Sequence, residues 1–182
     1  MSRIRCFIHC IRTLTTIPGG HIYTPESLID INKRAHSSFK KLLEHCRQFS
    51  IEEINREMEG FGYPTLRLQL YHILGAQGYW IGVLQGRMDA DENDPLYPSI
   101  ESLERYHEQI LKMTEEYLQG ASVEEVSTPR KMMTWQNIER TLIPAQVVMR
   151  TVTHLYQHQG QIMAICRLLG KPVDRGMDYP II

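Results

Sequence analysis

The chain has 182 residues, 42% of them hydrophobic, which suits one domain built on one continuous core. Twenty Lys and Arg against 21 Asp and Glu leave a net charge of −1, without the basic excess that attraction to nucleic acid or an anionic membrane requires. No apolar run approaches the roughly 18 to 20 residues that span a bilayer, and the four irregularly spaced cysteines suit a reducing compartment, so the expectation is a cytoplasmic protein with neither nucleic-acid nor membrane partners.

Residues 1–20 read as an extension outside the domain, which is expected from 21 to 182. Arg3, Arg5 and Arg12 interrupt its short apolar pieces, unlike the continuous centre of a secretory leader. Cys6 and Cys10 lack the second pair that a zinc clip needs. The first long helix opens at Thr24-Pro25-Glu26, where a capping threonine, a proline for the first turn and an acid for the positive helix end follow one another. Leu28, Ile31, Ala35, Phe39, Leu42, Leu43 and Cys46 then recur at helical spacing, and the helix is expected to reach about Phe49.

Ser50 and Glu53 form a capping box for a short helix, expected over Ile51 to Met58. A second long helix is expected from Thr65 to Gln85, with Leu66, Leu70, Ile73, Leu74, Trp80, Ile81 and Leu84 on a broad apolar face. Gly75, Gly78 and Gly82 each cost up to ~1 kcal/mol against alanine there, which close packing against a neighbour offsets. After a polar loop, Asp89 to Pro98, a third helix runs from Ser99 to Gly120. Residues 121–143 carry Pro129 and mixed polarity, and the pattern assigns them no firm element beyond short extended pieces or turns. Pro144 opens a fourth helix that ends at Gly170 and Pro172. Four long amphipathic helices predict an all-α, up-down four-helix bundle.

The chemistry stands on these helices. His154 and His158 are four residues apart, so their imidazoles project side by side from one face. Chance alone gives such a pair often in a chain with eight histidines, and each histidine taken singly reads better as a polar position on a half-buried face. The flanking residues change the balance. Ile73, Leu74, Val152, Leu155 and Ile162 are expected core, so His72, His154 and His158 stand at its edge, and helices ~8 to 10 Å apart let three imidazoles meet one divalent ion. A zinc protease is excluded because Leu155 stands where its general-base glutamate must be, and the glycines lack the spacing, strand and lysine of a phosphate loop.

His72-Ile73-Leu74-Gly75-Ala76 followed by Trp80 and Gly86, then His154-x-x-x-His158-x-Gly160-Gln161-Ile162 and Leu169-Gly170-Lys171-Pro172, resembles the DinB (YfiT-like) family. The resemblance spans about Thr24 to Asp178. It implies a four-helix bundle, a three-histidine site for zinc, nickel or a similar ion at His72, His154 and His158, and a homodimer. Related branches activate low-molecular-weight thiols on the metal for transfer to electrophiles. Residues 1–20 and Tyr156-Gln157 depart from the family's pattern. The expected function is therefore a metal-dependent thiol S-transferase acting on a small-molecule substrate, with Tyr79 and Gln161 as candidate pocket residues. The alternatives are a metal-dependent hydrolase, for which Glu101 to Glu116 of the third helix offer the only acids in prospect, and a non-catalytic stress-response protein whose ion pins two helices.

Overall fold

In α1 (Pro25–Cys46), Thr24 and Ser27 cap each other reciprocally and Pro25 fills the first turn. The structure is a computed structural model that describes residues 22–88, 93–174 and 176–181; the extension with Cys6 and Cys10 lies outside the described residues. Helix α1 stops at Cys46, short of Phe49. Helix α2 (Ile51–Ile54) opens on the Ser50–Glu53 box but lasts one turn, short of Met58. Asn55 stops it by donating its side-chain amide to the Ile51 carbonyl at 2.8 Å, and the Met58 N–H turns to the Pro64 carbonyl.

The other three long helices are α3 (Leu66–Leu84), α4 (Ile100–Gly120) and α6 (Pro144–Leu168). Around the bundle, α1 packs on α4 and α6, and α3 packs on the same two. Their directions follow from the residues that meet. Arg47 pairs with Glu104 and Lys33 with Glu115, so α1 and α4 are antiparallel. Tyr71 stacks on Tyr106 and Gln77 reaches Thr114, so α3 and α4 are parallel. Gln69 meets Gln161 and Trp80 meets Arg150, so α3 and α6 are antiparallel. The directions read up, down, down, up, which the long connection between Leu84 and Ile100 permits. Gly78 lets α3 approach α4: a Cβ there would lie 2.9 Å from the Ile110 Cδ1 atom.

Two apolar clusters fill the interior. One gathers Phe39, Leu42, Leu43, Leu70, Leu74, Leu155, Ile162 and Ile165; the other gathers Leu28, Ile81, Leu84, Leu118, Val126, Met132 and Val148. Between them lies a buried polar layer. The Gln77 side-chain amide donates to Thr114 (2.9 Å) and Asn32 (3.2 Å), which leaves its oxygen to accept from His36 Nε2 (2.9 Å). His36 Nδ1 then accepts from His107 Nε2 at 2.9 Å. Cys46 and Cys166 are free, buried and in mutual contact, as core thiols on α1 and α6.

Residues 121–143 hold the structure that periodicity did not assign: α5 (Val123–Ser127), then a hairpin of β1 (Arg130–Thr134) and β2 (Ile138–Leu142). The antiparallel register pairs Arg130 with Leu142, Met132 with Arg140 and Thr134 with Ile138. The turn places Gln136 and Asn137 at φ 58° and 57°, in the left-handed region. Arg130 anchors the hairpin by donating to the Leu84 carbonyl at 2.7 Å, and Met132 enters the second cluster. The hairpin therefore leans on the carboxyl-terminal half of α3. No described helix is long and apolar enough to cross a membrane.

Candidate metal centre

His72 comes from the middle of α3, and His154 and His158 from successive turns of α6, where the antiparallel packing sets the three rings together. Ring centroids are 4.5 to 4.9 Å apart, and one nitrogen from each ring falls within 4.8 Å of the others. The Nε2 atoms of His72 and His154 are 3.2 Å apart. Two nitrogens bound to one tetrahedral zinc at ~2.0 to 2.1 Å would be ~3.3 Å apart, so the spacing fits an ion shared between them. Among the described residues this is a group of three, with no fourth His, Cys, Asp or Glu in reach.

The third ring is oriented by its neighbours. Gln69, one turn before His72 and fully buried, gives its side-chain N–H groups to the Tyr63 carbonyl (2.8 Å) and to Gln161 (3.1 Å). A main-chain carbonyl only accepts, so this fixes the Gln69 amide, whose oxygen faces His158 Nδ1 at 2.7 Å. Nδ1 therefore carries the proton and Nε2 presents its lone pair to the centre, the outer-shell arrangement that holds metal-binding histidines. Tyr63 also stacks on the His72 ring with centroids 3.8 Å apart.

Burial first, and then repulsion from the neighbouring imidazoles, pushes His72 and His154 down to about 4; burial lowers His158 as well. All three rings are therefore neutral near pH 7, the form that binds a metal.

Beside His72 and His154 opens a cavity of about 370 Å³, also lined by Ala76, Tyr79, Trp80, Thr134, Trp135, Arg140 and Arg150. Helices α3 and α6 make its floor, and the hairpin supplies Thr134, Trp135 and Arg140 as the far wall. Of the two pocket residues expected from sequence, Tyr79 stands in this wall, whereas Gln161 lies behind the site and holds Gln69. Sequence reasoning missed Arg150, although it lies one turn before His154 on the same helical face. It missed Gln69 too, whose i,i+3 spacing to His72 was a readable sign.

A DinB family model matches residues 30–181. The chain belongs to the DinB family. Among solved structures, this DinB chain is similar to a DinB-like protein from Bacillus cereus ATCC 10987, with a TM-score of 0.67 and 18% identity over 83% of this chain and 96% of that one. A DinB family member from Shewanella denitrificans is similar at a TM-score of 0.58 and 15% identity, over 87% of this chain and 90% of the other. These likenesses support the fold alone. No curated protein matches.

Proposed function

We propose that this DinB protein is a metal-dependent thiol S-transferase acting on small electrophiles. The observation that carries the reading is the meeting of three neutral imidazoles at the edge of an aromatic cavity that has two arginines and no carboxylate in its wall. A divalent ion held by His72, His154 and His158 would supply the positive charge that lowers a thiol's pKa.

The chain's own residues would do the rest. Arg140 and Arg150 add positive potential that favours thiolate over thiol. Trp80, Trp135 and Tyr79 offer apolar surface for the body of an electrophile and exclude water from it. In the transfer, the thiol proton leaves to solvent, a carbon–sulfur bond forms, and the electrophile's bond to its leaving group breaks with the electron pair going to that group. Hydrolysis would need a base to take a proton from water, and none of the lining residues is an acid. Glu104 of α4 pairs with Arg47 instead, and Glu115 with Lys33. A purely structural ion usually has four protein ligands, whereas three converge here.

The test is zinc-loaded protein with 1-chloro-2,4-dinitrobenzene and a panel of low-molecular-weight thiols, following thioether formation and chloride release. Turnover with at least one thiol is expected, falling by at least ~100-fold in His154→Ala. Hydrolysis of the electrophile at an equal rate without thiol would overturn the reading.

A further inference from the structure

The cavity wall carries more positive charge than the centre needs. Arg34, Arg47, Arg67 and Arg130 each pair with a carboxylate. Among the described residues, exposed Arg140 and Arg150 have no such partner, as is true of exposed Arg56, Arg105 and Arg167, but Arg140 and Arg150 line the cavity beside the histidines. Arg150 is held in place by Trp80, whose ring centre lies 5.5 Å from the guanidinium carbon. Arg140 comes from strand β2, opposite Met132 in the register.

A second observation points the same way. The Tyr79 side chain is 3% exposed, yet its hydroxyl is buried without a hydrogen-bond partner while the ring lines the cavity. The Trp135 N–H faces that hydroxyl and can only donate to its oxygen, so the hydroxyl's own proton is left without an acceptor. Arg140 is close enough to act on Tyr79, so an unpaired donor and a guanidinium without a carboxylate stand together in this wall, which suits an acceptor that bears negative charge.

We propose that the cavity binds a carboxylate, with Arg140 and Arg150 as its cationic wall and the Tyr79 hydroxyl as its neutral donor, so that a reactant brought to the histidines is an organic acid. The proposal rests on the transferase reading only in taking this cavity as the place where a reactant sits. Arg150 stands one helical turn, ~5 to 6 Å, from His154 on the same face of α6, so a few bonds separate the carboxylate from the reacting group. The aromatic residues between them contact the connecting carbons.

The two tryptophans of the chain, Trp80 and Trp135, both line the cavity, so intrinsic fluorescence reports on it directly. Zinc-loaded protein is titrated with 3-mercaptopropionate beside 3-mercaptopropionamide, and with benzoate beside benzamide. In at least one pair the acid is expected to bind about ten-fold more tightly than the amide. That preference should shrink to about two-fold or less in the Arg140→Gln, Arg150→Gln variant, with zinc content unchanged. A preference within the thiol pair assigns the carboxylate to the thiol; one confined to the benzoate pair assigns it to the electrophile. Equal binding of acid and amide in both pairs, or a preference that survives the double substitution, overturns the proposal. Acid preference without thiol turnover would sink the transferase reading and leave the carboxylate site standing.

Discussion

His36 and His107 share a bundle with His72, His154 and His158, yet the two groups differ in what faces their ring nitrogens. In the first group, hydrogen bonds run in one direction from His107 through His36 to Gln77, so the lone pair on His36 Nδ1 and the proton on its Nε2 are both used. In the second, the Gln69 oxygen accepts a hydrogen bond from His158 Nδ1, and the Nε2 atoms of His72 and His154 meet each other at 3.2 Å. Burial lowers the pKa of His36 to about 3 and that of His107 to about 4, much as it does for His72 and His154. Depressed basicity therefore does not distinguish a metal centre from a core network; the convergence of one nitrogen from each of three rings does.

Acid gives the widest test of the closed group. Below pH 6.5 the unfolded imidazoles take up protons, while those of His36 and His107 stay neutral down to about 3 and 4, with Lys40 repelling charge on His107 as well. The unfolded state thus binds more protons, and stability falls as pH drops from 6.5 towards 4. Each tenfold weakening of an imidazole's hold on its proton is worth about 1.4 kcal/mol, so urea unfolding in chelator should lose several kcal/mol between about pH 7 and 4.5, and a His72→Ala, His154→Ala variant should keep the share due to His36 and His107. A flat profile would show that the network is not held neutral.

Truncation separates the groups by kind. Gln77→Ala leaves the His36 N–H and Asn32 without their partner and opens a cavity, and should cost about 3 to 4 kcal/mol with or without metal. His154→Ala, at a half-buried ring, should cost less than about 1 kcal/mol in metal-free protein. Zinc at about 100 times its dissociation constant should stabilise the wild type by about 2.7 kcal/mol and the His154→Ala protein hardly at all. Equal behaviour of the two variants in thermal scans with and without zinc would erase the distinction.

The smallest effect sharpens it. Gln69→Leu keeps all three histidines but removes the acceptor that orients His158, and metal affinity should fall about 10- to 100-fold in competition with a chelating dye. An unchanged affinity would mean that the ring is oriented by packing alone.

The helices and the meeting of His72, His154 and His158 were legible in the sequence because α1, α3, α4 and α6 are long enough for the apolar repeat to dominate, and because an i,i+4 histidine pair flanked by core residues implies a partner. Thr24, Ser50 and Ser99 cap their helices as their local sequences suggest. The hairpin was not legible. Burial alternates along β1, but the residue types do not report it, since apolar Met133 faces out and polar Thr134 faces in, and β2 is exposed almost throughout; the turn, moreover, uses Gln136 and Asn137 rather than glycine. Arg140 and Trp135 were hidden with it. The parallel pairing of α3 and α4, and the His36–Gln77–His107 layer, depend on which helices become neighbours, which no single helix records.

The hairpin has a consequence for how such a protein can change. Its strands face solvent over most of their surface, and its hold on the bundle rests on a few residues such as Arg130 and Met132. The three histidines, by contrast, are set in two core helices. One wall of the cavity is thus carried on a different unit from the three histidines: substitutions at Thr134, Trp135 or Arg140 can reshape that wall while α3 and α6 keep the histidines, Tyr79, Trp80 and Arg150 where they are. A library confined to residues 133–141 would therefore vary one wall of the cavity with the three histidines left in place, which makes this strip of chain the natural handle for engineering.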